Sequence, residues 1–212
     1  MQRRTFQAGL LAAGGLALAG PLHAQRAIQA GQDFRPLAKP APVDAPAGRI
    51  EVVEFFWYSC PHCNAFEPLL ESWSKRLPKD VVLRRVPVAF RPDFEPQQRL
   101  FYTLEALGRL DLHGKVFQTI HQQRQPLQNQ EAILAWLQAQ GVDRAKAQAA
   151  YESFGITTKV RRALLLQEAY EVEGVPALGV AGRFYTDGQM AGDMPRAVQV
   201  VESLLARLRQ GA

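Results

Sequence analysis

Cys60 and Cys63 are the two cysteines of this 212-residue chain, and Pro61 and His62 alone separate them. Sulfur attacks disulfides and binds metals as the thiolate, so reactivity follows whatever favours ionisation. Pro61 supplies a position. At the first residue of a helix its missing N–H costs nothing, and its fixed φ is already helical. Cys60 is therefore expected at a helix N-terminus, facing free amides and the positive end of the macrodipole. The dipole contributes roughly 0.3 to 1 kcal/mol, up to ~2 in favourable geometry. At about 1.4 kcal/mol per pKa unit it accounts for about one unit. A larger depression needs hydrogen bonds from the amides and the Cys63 thiol, or a positive charge on His62, and we assign much of that remainder to His62. A stabilised Cys60 thiolate is also a better leaving group, which makes a Cys60–Cys63 disulfide an oxidant.

Other chemistries fit the pair less well. Zinc takes about four ligands, and beyond Cys60, His62 and Cys63 only His113 and His121 remain downstream, far along the chain. Haem attachment needs a histidine after Cys63, where Asn64 stands. A static disulfide across so short a loop constrains the unfolded chain little. No metal and no organic cofactor is called for; the redox-active pair is itself the reactive group.

Positioning the pair requires a strand, a turn and a helix. Ile50 to Phe56 reads as a strand buried on both faces, carrying one acid, Glu54, six residues before Cys60. After Pro61, the residues Phe66, Leu69, Leu70, Trp73 and Leu77 fall on one helical face, with Pro68 expected to kink it. Val81 to Val88 supplies a second strand, expected parallel to the first. From Pro96 the pattern is helical up to Glu173, with Thr157 or Thr158 as a candidate cap of the last helix. Strand character returns at Ala177 to Val180, turns at Ala181 and Gly182, and continues to Thr186 before a final amphipathic helix from Val198. The expected organisation is a leader over 25–48 with an edge strand near Phe34 to Leu37, an α/β unit over 49–95 and 173–212, and a helical insertion over 96–172. Trp57 and Tyr58, at the strand end, serve either as core or as rings offered to a partner. Trp73 and Trp136 read as packing, and His113 and His121 as solvated helix residues.

The N-terminus carries an address. Arg3 and Arg4 precede an apolar stretch from Ala8 to Ala19, closed by Gly20, Pro21 and Ala24. This is the layout of a signal peptide over 1–24, read by either the Sec or the Tat route. The stretch is shorter than the ~18 to 20 residues a bilayer span needs. Export places the pair in an oxidising compartment. Composition agrees with an ordinary globular chain: 47% hydrophobic and 21% charged residues exclude disorder, and two cysteines exclude a disulfide-rich miniprotein. The net charge of +5 is scattered, without the basic run of a nucleic-acid binder.

The run Glu54-Phe55-Phe56-Trp57-Tyr58-Ser59-Cys60-Pro61-His62-Cys63, together with Gly174-Val175-Pro176-Ala177, resembles the DsbA family of periplasmic thiol:disulfide oxidoreductases. The resemblance implies a thioredoxin-like α/β fold, a central mixed sheet flanked by helices, with an inserted all-helical domain. It implies that Cys60 is the nucleophile and Cys63 the buried resolving partner. Val175-Pro176 would form a cis-proline loop whose Val175 backbone pairs with an extended client peptide. Trp57 and Tyr58 would line the client surface. Glu54 would be a desolvated acid that relays protons for Cys63, beside a basic residue that is either Arg84 or Arg85. Gly179 departs from the bulky apolar residue usual after that loop. The implied protein is a monomeric periplasmic oxidase of newly translocated, cysteine-containing proteins, itself reoxidised by a quinone-linked membrane partner resembling DsbB. Two further readings stand beside it at this point. An isomerase or reductase would run the same exchange from the dithiol side; a holdase would keep its client binding and folding yield with both cysteines changed to Ser, and a metal-binding module would retain stoichiometric zinc on purification.

Overall fold

The computed structural model describes residues 26–211, so the signal peptide expected over 1–24 lies outside the described residues. Five strands form one sheet in the order β1-β5-β4-β2-β3. The central strand β2, Ile50–Phe56, is buried from Glu51 onward, as its run of Val and Phe requires. It pairs in parallel with β3, Val81–Pro87, and antiparallel with β4, Ala177–Val180. β4 continues the sheet into β5, Phe184–Asp187. The leader adds β1, Arg35–Pro36, antiparallel to β5, as the edge strand expected there. A sheet with both parallel and antiparallel neighbours, helices on its two faces and a helical region between β3 and β4 is the thioredoxin-like architecture with an insertion.

Helix α1, Pro61–Ser74, links β2 to β3 and carries Pro68 inside it. The helices α2 (Glu95–Ala106), α3 (His113–His121), α4 (Gln130–Ala139), α5 (Arg144–Tyr151) and α6 (Phe154–Ala169) follow β3. The last of these starts earlier than the threonines suggested. Ser153 is its cap, its Oγ accepting from the Ile156 N–H at 3.2 Å. Thr157 lies a turn inside, donating to the Ser153 carbonyl. A short α7, Gly188–Ala191, which the sequence pattern did not reveal, precedes α8, Met194–Arg209. Among the described residues no helix is long and apolar enough to cross a membrane.

Side chains alternate across β2, so the sheet has two cores. Val52 joins Phe66, Leu70 and Trp73 of α1 and Val198, Val201 and Leu204 of α8. Val53, Phe55 and Phe56 join Leu100, Leu104, Phe117, Leu137 and Leu166 of the inserted helices. The insertion therefore packs directly on the strand that ends at the cysteine pair. Trp73 and Trp136 are both core, as expected, with indole N–H groups bonded to Glu202 and Thr119.

Candidate active site

Cys60 caps α1. Its backbone is extended (φ −78°, ψ 119°), its N–H closes a turn onto the Trp57 carbonyl at 3.0 Å, and Sγ accepts the Cys63 N–H at 3.4 Å. Both cysteines are thiols in this structure. Cys60 retains 8% of its surface and Cys63 none, so the first sulfur alone borders solvent, between exposed Pro61 and His62. The Cys60 thiol is held down to about 6. The foremost cause is the Cys63 thiol donating to the thiolate, followed, against the opposing effect of burial, by the amides of Cys63 and His62. The charge of His62 comes last. This corrects the expectation that His62 supplies much of what the helix dipole leaves over: His62 is exposed, so its field is screened by water, while the Cys63 donor is dry and adjacent. Cys63 is pushed far the other way by burial and by the neighbouring Cys60 thiolate. One cysteine is thus ready to ionise and its partner holds its proton.

The Val175–Pro176 peptide is cis. The Val175 carbonyl accepts from Cys60 Sγ at 3.4 Å, so this loop faces the reactive sulfur from across the sheet end. Gly179, two residues into β4, has a packing role away from this loop. A Cβ built there would lie 2.3 Å from the Tyr170 ring. Tyr170 lies fully buried against the strand, and its hydroxyl accepts the Gly182 N–H at 3.0 Å.

Glu54 is 1% exposed and stands beside Arg85 in the parallel register, with Arg85 Nε 3.1 Å from Oε2. Arg84 instead reaches Asp44 at 2.9 Å, which settles the choice between the two arginines. Arg85 also serves Glu67 (2.8 Å) and Glu71 (3.3 Å) of α1. One guanidinium among three carboxylates cannot offset the burial of Glu54. Desolvation and the Glu67 charge push Glu54 up to about 8, so it is a proton-carrying acid near neutrality.

For Tyr58 the structure decides between the two readings offered, and three further residues, His113, His121 and Gln97, have roles the sequence reading did not find. Tyr58 is 1% exposed, so it is core and cannot touch a client. His113 is buried rather than solvated: its Nδ1 shares a 2.8 Å hydrogen bond with the Tyr58 hydroxyl, and its Nε2 lies 3.5 Å from Glu67. His121 is likewise no solvated residue, donating from Nε2 to the Tyr58 carbonyl at 2.8 Å. Gln97 of α2 accepts the Ser59 N–H at 3.2 Å and donates to Ser59 Oγ at 2.7 Å. Trp57 is half-buried and stacks on Phe94 at 3.7 Å. The signal for the histidines was present in their eight-residue spacing on one helical face, but nothing local shows what that face meets.

A thiolate-stabilising helix N-cap, a buried partner thiol, an adjacent acid and a proline loop on a thioredoxin-like sheet define a thiol:disulfide oxidoreductase. Among the described residues no group of His, Cys, Asp and Glu is placed to hold a metal. Comparison with known proteins gives the family. Residues 86–199 match the DSBA-like thioredoxin domain. The chain is 45% identical to the thiol:disulfide interchange protein DsbA of Bordetella parapertussis, over 99% of this chain and 100% of that one. It is 39% identical to the DsbA of Pseudomonas aeruginosa over 86% and 87%. The crystal structure of Pseudomonas aeruginosa DsbA superposes with a TM-score of 0.82 at 38% identity, covering 87% of this chain and 96% of that one. The DsbA oxidoreductase of Xylella fastidiosa gives 0.78 at 29% identity, over 85% and 97%. The chain belongs to the DsbA family. It is a periplasmic dithiol oxidase acting on cysteine-containing secreted proteins.

Proposed function

We propose that Cys60 is the sulfur that exchanges with clients and Cys63 the one that resolves. In the oxidised enzyme a client thiolate attacks Cys60 Sγ; the Cys60–Cys63 bond breaks, and Cys63 leaves with the electron pair and takes a proton. Glu54, carrying that proton near neutrality, is its source. A second client thiolate then attacks the client sulfur of the mixed disulfide, releasing an oxidised client and Cys60 as thiolate. Two electrons pass from client to enzyme, and the helix N-terminus stabilises the product side. Pro61 starts the helix without an N–H to satisfy, and His62 lends its amide and, as the least of the causes, its charge to the Cys60 thiolate. Val175 and Pro176 align the client backbone beside Cys60, and Trp57 with Phe94 offers an aromatic edge to it.

The remaining parts of the reading concern the cell. Reoxidation is assigned to a quinone-linked membrane oxidase resembling DsbB, the working form to a monomer, and export to cleavage after the 1–24 signal by Sec or Tat. The α/β unit over 49–95 and 173–212 carries the chemistry, and the insertion over 96–172 shapes its surroundings.

The observation that carries the reading is the Cys60 Sγ at a helix N-cap, ionising at about 6, above a fully buried Cys63. Trapping with a reduced, unfolded client tests it. Cys63→Ser is expected to accumulate a mixed disulfide through Cys60, and Cys60→Ser none. Trapping through Cys63 overturns the assignment, and an equilibrium with glutathione as reducing as that of thioredoxin turns the activity into a reductase.

A further inference from the structure

Each residue of the turn that delivers Cys60 is held by a side chain of the insertion or of the short segment that leads into it. Phe94 stacks on Trp57 with their rings 5° from parallel. His113 and His121, at the two ends of α3, take the hydroxyl and the carbonyl of Tyr58. Gln97 takes both the N–H and the hydroxyl of Ser59, and its amide also donates to the Pro126 carbonyl at 2.8 Å, which fixes its orientation. A carbonyl can only accept, so His121 must carry its proton on Nε2 in any charge state. Tyr58 and Gln97 are 1% and 2% exposed, so water cannot replace these partners without opening the packing.

The Cys60 cap depends on this turn. Its N–H bonds back to Trp57 and its Sγ reaches the Cys63 amide only if Tyr58 and Ser59 keep their course. The sulfur accepts the backbone amide of Cys63 at 3.4 Å, so a change in the course of the turn changes the donors the thiolate meets. We propose that His121 and Gln97, with His113 behind them, are positioning residues of the redox reaction: the insertion sets the reactivity of Cys60 by clamping the turn before it. They touch neither client nor sulfur and act through Tyr58 and Ser59. The inference rests on Cys60 being the ionising cysteine.

The full-length mature protein tests it, with the ultraviolet absorbance of the thiolate followed against pH and the equilibrium constant measured against glutathione. His121→Leu keeps bulk and removes the donor, His121→Gln keeps a donor, and Gln97→Leu removes both Ser59 contacts. The leucine variants are expected to raise the Cys60 midpoint and to move the glutathione equilibrium about fivefold or more toward a less oxidising enzyme, while His121→Gln stays within about twofold of the parent. Circular dichroism and thermal melting show whether each variant is folded. If the leucine variants do not fold, His121→Ala, which removes the donor, and Gln97→Glu, which removes the two donated bonds, carry the comparison, and both folded at the parent midpoint overturn the clamp. Folded leucine variants with an unchanged midpoint and equilibrium overturn it directly. A titration that survives in Cys60→Ser overturns instead the assignment of Cys60 on which the clamp rests.

Discussion

Between about pH 6 and pH 9, Cys60 is ionised in the folded dithiol and protonated in an unfolded chain, whose thiol keeps the ordinary value of 9.0. Its folded value is depressed, so the stabilisation is complete above 9 and is lost as pH falls through 6. At pH 7 it amounts to about 1.4 kcal/mol, comparable to the ~2 kcal/mol by which closing a four-residue loop constrains the unfolded oxidised chain. The two redox forms are therefore expected to be near balance at neutrality. Denaturant midpoints of both forms measured across this range should show the dithiol form gaining roughly 1.4 kcal/mol per pH unit on the disulfide form. A difference independent of pH would mean that Cys60 is not ionised. Glu54 has the opposite sign. Its folded value is raised from 4.5 to about 8, so the folded state binds the extra proton within that window and stability falls as pH rises through it. In the oxidised protein, where Cys60 does not titrate, Glu54→Gln should flatten that fall, a change of a few kcal/mol at most. Equal slopes for the two proteins would place Glu54 in a wetter site than its 1% exposure indicates.

Elements meet here through single shared residues. β2 delivers Glu54, the Trp57–Ser59 turn and Cys60 in succession, and β3 brings Arg85 alongside because the parallel register pairs it with Glu54. β4 approaches from the other side with its glycine against Tyr170 of the α6 end. Putting a valine at Gly179 forces the Tyr170 ring to move, since ring atoms 2.3 to 3.0 Å from a Cβ have no free end to swing away. The hydroxyl bond to Gly182 goes with it. A loss of about 1 to 3 kcal/mol is expected for Gly179→Val, read as a lowered melting temperature. Tyr170→Leu should remove most of that penalty when combined with it, and a double variant no better than additive would disconnect the two residues.

Over the whole molecule the insertion and the α/β unit share one core. Phe56 touches the rings of Tyr58, Phe101, His113 and Phe117, with centroids 5.1 to 6.1 Å away, so one side chain joins β2, α2 and α3. Its truncation to Ala should cost about 3 to 5 kcal/mol. It should lower a single transition seen alike by far-ultraviolet and near-ultraviolet circular dichroism. Two separated transitions would show that the helices fold apart from the sheet and could not hold the active-site turn in place.

The strands Ile50–Phe56 and Ala177–Val180, the helix after Pro61 and the identity of the reactive pair were fixed by local chemistry: runs of β-branched and aromatic residues, a proline at a helix start, two thiols at a set spacing. Periodicity also placed the inserted helices, because an apolar stripe must be buried somewhere. It could not say against what. That His113 and His121 turn inward onto Tyr58 and that Arg85 and not Arg84 joins Glu54 are outcomes of packing between residues about 30 to 63 positions apart; that Cys63 rather than His62 does most to hold the thiolate follows from which of the two neighbours the fold buries. Polar side chains such as histidine and glutamine carry no pattern that distinguishes water from a buried partner; only the assembled neighbours decide that, by removing the water and offering one acceptor in its place.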